Sequence, residues 1–314
     1  MIIKLKPAFK DYLWGGKRLK TLFDKKSPYD ITAESWELSC HPDGMSIIAE
    51  GDDIGMTLFD WNLKYGSSVL GKNCVRFENF PILVKLIDAT QSLSVQVHPD
   101  DDYALANENQ YGKTEMWYII DHEPGAFLYH GLSHDITEQE FGAAIENDTV
   151  TDYLRKVEVK KGDIFFIEAG TIHAIGAGIV IAEIQQNSNL TYRVFDYNRA
   201  DVNGQKRQLH KDKVLEVSKL SAEKEKHNFG EHIAACKYFV TDKINIDGNY
   251  KGFSGEMSFH HILIISGGGK AENSGEITNF HAGDSLFISA ESKEYELSGK
   301  FSALITSIPE SGKY

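Results

Sequence analysis

Short runs of β-branched and aromatic residues, each closed by glycine, aspartate or asparagine, recur along most of this chain. They include PILVKLID at 81–88, SLSVQV at 92–97, MWYIID at 116–121, GDIFFIEAG at 162–170, GIVIAEIQQ at 178–186, HHILIIS at 260–266 and GDSLFISA at 283–290. Runs this short, closed at this spacing by turn residues, suit strands and predict an all-β sandwich or barrel. Helical signals are few. Pro99 suits the first turn of a helix over 100–107. Thr137 and Glu140 have capping-box spacing ahead of Phe141, Ala144 and Ile145. A third helix is expected over 211–219.

A weak internal repeat points to tandem barrels. Gly162-Asp163-Ile164-Phe165-Phe166-Ile167-Glu168-Ala169 matches Gly283-Asp284-Ser285-Leu286-Phe287-Ile288-Ser289-Ala290 at Gly, Asp, Phe, Ile and Ala. Each copy is expected to follow a strand pair with a glycine-containing turn, around Pro124-Gly125 and Gly267-Gly268-Gly269. The polar stretch SAEKEKHNFGEH at 221–232 reads as the linker, giving an expected first domain over 1–235 and a second over 236–314. Gly267-Gly268-Gly269-Lys270 lacks the strand–GxxxxGK[ST]–helix frame of a phosphate loop and is expected to be a hairpin tip.

Composition narrows the partners. The 314 residues carry 33 Lys+Arg against 46 Asp+Glu, a formal charge of −13. There is no basic surplus to neutralise the phosphates of nucleic acid or of an anionic membrane, although a local basic pocket for a small anion stays open. Apolar residues at 41% argue against disorder as a global description. No apolar run approaches the roughly 20 residues that span a bilayer. The segment MIIKLKPAFKDYLWGG has no apolar core of a signal peptide. Three scattered cysteines, Cys40, Cys74 and Cys236, indicate neither a disulfide framework nor a thiolate metal site. A soluble, cytoplasmic protein is expected.

Gln96 and His98 stand two apart in SLSVQVHPDD, so on a strand both project from one face. Glu115 heads the next strand of an expected hairpin, and His173 follows GDIFFIEAGTI. Two histidines, a carboxylate and an amide oxygen form a mixed N/O set suited to zinc, with room for water or substrate. Taken singly, each residue also reads as an ordinary strand-end or surface polar group. In order, two ligands on one strand, a glutamate starting the next and a histidine after the Gly-Asp turn resemble a cupin metal site. The second repeat lacks the set: eleven residues from Gly283, as His173 is from Gly162, stands Glu294.

The resemblance narrows further. Leu93-Ser94-Val95-Gln96-Val97-His98-Pro99-Asp100, Gly112-Lys113-Thr114-Glu115-Met116, Ala169-Gly170-Thr171-Ile172-His173-Ala174 and Leu190-Thr191-Tyr192-Arg193-Val194-Phe195-Asp196-Tyr197 resemble the type I mannose-6-phosphate isomerase family. The early segments Asp11-Tyr12-Leu13-Trp14-Gly15-Gly16 and Ala33-Glu34-Ser35-Trp36-Glu37 do so too. The chain looks like the short bacterial form, and the resemblance runs through its whole length, most densely over 80–200. It implies a mainly β fold of two tandem cupin-type jelly-roll barrels with a few short helices, the second metal-free. It also implies one zinc ion per chain held by Gln96, His98, Glu115 and His173. Arg193 matches the family's catalytic arginine and Lys113 its active-site lysine. Lys85 and Ser94 match positions of phosphate or substrate contact, and Glu183 an acidic residue lining the site. Ala169-Gly170 replaces the proline-containing turn of other cupins and leaves the ligand order intact.

Interconverting an aldose and a ketose moves a proton between C1 and C2 through an enediol(ate), which asks for these residue types independently. A Lewis-acidic metal or fixed cation stabilises the oxyanion, and a side chain of tuned pKa shuttles the proton. Glu183 and Lys113 both fit that shuttle. Lys85, Lys113 and Arg193 could meet a phosphate, while Arg193 could instead pair with Asp196 and Lys85 could be a strand lysine with its amine at the surface. The competing readings are an iron or manganese cupin oxygenase or decarboxylase, whose sites more often carry histidine where Gln96 stands, and a non-catalytic sugar-binding bicupin.

Overall fold

The computed structural model describes residues 1–200, 204–223 and 227–314. The chain forms two units, one of Leu13–Gly16 with Ile87–His227 and the other of Met1–Tyr12, Lys17–Leu86 and Asn228–Tyr314. This grouping differs from a serial split at 235/236, because strand Ile2–Lys6 pairs antiparallel with Ser285–Ile288 and so ties the N-terminus to the C-terminal segment. Of the expected linker, 224–226 lie outside the described residues.

The architecture is mainly β. In the unit containing Ile87–His227, a five-stranded antiparallel sheet runs in the order Tyr192–Phe195, Val95–Val97, His173–Ala174, Phe127–Leu132, Leu154–Glu158. Its side chains alternate between faces, except at an irregularity between Tyr129 and Leu132, where Gly131 adopts a left-handed φ of 69°. Val95, Val97, Leu132, Ala174, Tyr192 and Val194 join one apolar core with Phe141, Ala144, Ile145 and Val214. The latter four come from helices Glu138–Glu146 and Lys211–Val217. The capping box forms as expected: the Glu140 amide donates to Thr137 Oγ1, and the Thr137 amide donates to the Glu140 carboxylate. The opposite face of the sheet carries the polar residues between those apolar positions.

A second layer of this unit has Glu115–His122 paired on one side with Ile164–Ile167 and on the other with Ile179–Gln186. The expected hairpin between Val95–Val97 and Glu115–His122 is not formed, since the two strands belong to different sheets. Helix Asp101–Glu108 intervenes, its N-terminus capped by Asp100, which accepts from the Tyr103 amide. Seventeen residues with a helix inside cross from one sheet to the other, where a tight turn would have kept the strands adjacent. In strand order the sheets are open, not the closed barrels expected.

In the other unit an eight-stranded sheet is dominated by Val240–Ser254, Lys293–Ser307 and His260–Asn273, paired in that order. Gly267-Gly268-Gly269 is not the expected hairpin tip. It lies inside His260–Asn273, and the chain reverses at Ser274-Gly275. The glycines are there because backbones nearly touch: a Cβ on Gly267 would lie 2.0 Å from the Lys300 carbonyl oxygen, and one on Gly269 2.0 Å from that of Ser298.

The internal repeat is reproduced bond for bond. Gly162 and Gly283 both adopt left-handed φ, 92° and 89°. The Gly162 amide donates to the Ile119 carbonyl and the Ile119 amide to that of Asp163, and Gly283, Ile264 and Asp284 repeat the pair. Each aspartate carboxylate accepts from the amide three residues earlier, Lys160 in one copy and His281 in the other. Glu115 lies opposite Ile167, and His260 opposite the equivalent Ile288. His260 therefore holds the place of Glu115, with its Nδ1 2.8 Å from Tyr295 Oη. Glu294, the counterpart of His173, is exposed.

Gly267→Ala should cost about 2–4 kcal/mol, because the added methyl meets a backbone carbonyl that cannot rotate away and φ is 74°. Urea unfolding followed by circular dichroism measures it, and an unchanged midpoint would contradict this packing.

Candidate active site

Register assembles the polar face of the five-stranded sheet. Gln96 lies opposite both His173 and Arg193, and His173 lies opposite His130. Directly opposed residues on antiparallel strands project from the same face, so Arg193, Gln96, His173 and His130 form one row. His98 continues the alternation from Gln96 and brings its ring centroid to 4.8 Å from that of His173. Ser94 precedes Gln96 by the same two-residue step and is buried.

Glu115 enters from the other layer. Its Oε1 lies 3.4 Å from His173 Nε2 and its Oε2 3.8 Å from His98 Nε2. Each ring is oriented from behind, with His98 Nδ1 2.8 Å from the Leu190 carbonyl and His173 Nδ1 2.8 Å from that of Thr171. A carbonyl only accepts, so in the neutral rings Nδ1 carries the proton and Nε2 turns its lone pair inward. Burial pushes the His173 imidazolium down to about 3, with the bond to Thr171 opposing and Lys113 assisting, so the ring is neutral at ordinary pH.

His98, Glu115 and His173 thus converge ligand atoms within 4.8 Å of one another, all buried. Metal–ligand bonds of about 2.1 Å at tetrahedral angles separate neighbouring donors by roughly 3.4 Å, so the donor chemistry and spacing fit a divalent ion. Gln96 completes the neighbourhood, its amide nitrogen 3.3 Å from His173 Nε2. Half a turn of the amide would present Oε1 instead.

Beside this group Lys113 Nζ reaches Glu115 Oε2, sits 3.3 Å from His98 Nε2 and lies 3.6 Å from Glu183 Oε1. Its backbone is fixed by donation from its amide to the Pro99 carbonyl. Glu183 stands opposite Trp117 across the strand pair, and the indole N–H donates to Glu183 Oε2 at 2.9 Å. Arg193 is half-buried, and its backbone exchanges two hydrogen bonds with His210. A register shift between Arg193 and Phe195 precedes the strand end, and the Asp196 carboxylate is taken by Arg199 and Arg207. Lys85 belongs to the other unit, where it is buried 3.7 Å from Glu34 and over the Trp36 ring.

Sequence reasoning missed Trp117, which lies two residues beyond Glu115 and so on the same face. It also missed His130, whose buried ring, pushed down to about 4 by burial, stands next to His173 in the row. The carbonyls of Leu190 and Thr171 leave no signature in side-chain patterns.

Residues 2–126 match the family model for the catalytic domain of type I phosphomannose isomerase, and 229–309 that for the mannose-6-phosphate isomerase cupin domain. The chain belongs to the type I phosphomannose isomerase family. Mannose-6-phosphate isomerase ManA of Bacillus subtilis is 35% identical over 96% of this chain and 97% of its own. The probable mannose-6-phosphate isomerase GmuF of the same organism is 38% identical over 96% and 98%. The crystal structure of mannose 6-phosphate isomerase from B. subtilis superposes with a TM-score of 0.88, 31% identity and coverage of 97% and 99%. A putative mannosephosphate isomerase from Archaeoglobus fulgidus, at 22% identity and TM-score 0.81, shares the fold.

Within this phosphomannose isomerase site, His173→Ala should weaken divalent-ion binding by at least about 100-fold while the strands persist, since sheet hydrogen bonds do not involve the ring. Metal content after dialysis, alongside circular dichroism, measures both. Full retention of metal by the variant would remove His173 from the ligand set.

Proposed function

We propose that the chain is a zinc-dependent aldose–ketose isomerase that interconverts mannose 6-phosphate and fructose 6-phosphate through an enediol(ate). The observation that carries this reading is the buried convergence of His98, Glu115 and His173 beside Lys113 and Glu183. Two imidazoles, one carboxylate and the Gln96 amide would hold one ion per chain, and zinc is the redox-inert ion that such a set takes. When bound, the ion supplies Lewis-acid stabilisation of charge developing on the sugar oxygens.

The chain's own residues divide the remaining work. A group that takes a proton from C2 must return it to C1, so it needs both an acceptor form and a donor form within reach of the two carbons. Glu183 and Lys113, 3.6 Å apart, together offer both forms. Arg193, in the same row as two of the ligands, supplies a charged planar donor to the enediolate or the phosphate. By the family resemblance, Ser94 contacts substrate or its phosphate. A phosphorylated sugar does not cross lipid unaided, which supports a cytoplasmic location.

The matched Gly-Asp turns support reading the chain as tandem cupin-type halves, with 236–314 metal-free and structural. Glu294→Ala should therefore leave metal content and turnover at wild-type levels in a coupled assay. A large loss with normal folding would assign the C-terminal segment a part in the site.

The function is tested by isomerase assay on mannose 6-phosphate with and without a chelator. Turnover abolished by chelation and restored by zinc is expected, and no turnover in the metal-loaded protein refutes the reading. Arg193→Ala should keep the ion and lose about 10²–10³ in kcat/KM, with Arg193→Lys recovering part. Activity within a few-fold of wild type in the metal-loaded alanine variant would strike Arg193 from the catalytic residues.

A further inference from the structure

Trp117 is wholly buried, yet its single polar atom is committed to the site: the indole N–H donates to Glu183 Oε2 at 2.9 Å. The same ring meets His173 edge-on, with centroids 5.3 Å apart and planes at 76°. Its place is dictated by register. Trp117 is two residues from Glu115 on one strand and directly opposite Glu183 on the next, so all three side chains project from one face.

We infer that Trp117 is a positioning residue for the isomerase reaction, holding the Glu183 carboxylate so that Oε1 faces Lys113 and the substrate. A carboxylate rotates about its last bond with little resistance, and the indole donor fixes that rotation because the ring cannot move within its packing. Ionic contact with Lys113 alone does not select one oxygen, since an ammonium group satisfies either. Proton transfer between adjacent carbons depends on the placement of the accepting oxygen, and displacements near 1 Å cost up to about 100-fold in rate. Trp117 touches no reacting atom in this account and acts through Glu183. The inference rests on the proposed isomerase function.

The test replaces Trp117 with 3-benzothienylalanine, which keeps the ring shape and its contact with His173 but has no N–H donor. Trp117→Phe serves as a second variant. Both are assayed with zinc and, loaded with cobalt(II), by visible absorption of the metal site. The expected result is a fall in kcat of about tenfold with KM within twofold of wild type and the cobalt spectrum unchanged. A kcat within twofold of wild type in the benzothienyl protein would overturn the inference while leaving the isomerase reading intact. A fall accompanied by a changed cobalt spectrum would also overturn it, assigning Trp117 to the packing of His173. Absence of isomerase activity in the wild-type protein would refute the function and this inference with it.

Discussion

Three electron-pair donors, His98 Nε2, His173 Nε2 and the Glu115 carboxylate, face one another in a buried space, and the unit around them is arranged to hold that unfavourable convergence. Burying a carboxylate against two lone pairs is costly unless positive charge is supplied. Lys113 supplies one cationic side chain, against the carboxylates of Glu115 and Glu183. The imbalance that remains is one that a divalent ion would offset. The backbone carbonyls of Leu190 and Thr171 prevent the simplest escape, rotation or tautomer change of the rings, because each would forfeit a buried hydrogen bond.

The convergence depends on a division of faces in the five-stranded sheet. Val95, Val97, Ala174, Tyr192 and Val194 seal one face against two helices, while Gln96, His173 and Arg193, each adjacent in sequence to one of them, form the polar row. A one-residue slip of any strand would drive a charged or polar side chain into the helix-facing core and an aliphatic one into the site. The apolar face thus fixes the chemistry of the other. Register is enforced by hydrophobic burial on the face opposite the polar row.

The two copies of the Gly-Asp turn separate scaffold from site. Both keep the left-handed glycine, the aspartate bond to the amide three residues back, and the reciprocal pair with the neighbouring strand. Only the copy beginning at Gly162 leads to a histidine in the polar row, and the other places a histidine–tyrosine pair where Glu115 would stand. The turn is a backbone solution that any sequence with glycine and aspartate can reuse. The buried His98–Glu115–His173 group depends on side chains alone and can be lost without disturbing it.

The sequence by itself determined the mainly β character, the Thr137 capping box and the repeated turn, because alternation, capping and turn chemistry are local and act within a few residues. Residue order also sufficed for the family, since four motifs in one sequence carry its signature. Only the tertiary structure decided that Val95–Val97 and Glu115–His122 occupy different sheets, that Gly267-Gly268-Gly269 lies where two backbones nearly touch, and that Asp196 goes to Arg199 and Arg207. It also decided that Trp117 reaches across to Glu183. Each of these is set by pairing between segments distant in the chain. Such pairing is chosen by which faces bury together, a property of the whole sheet that no single run of residues encodes.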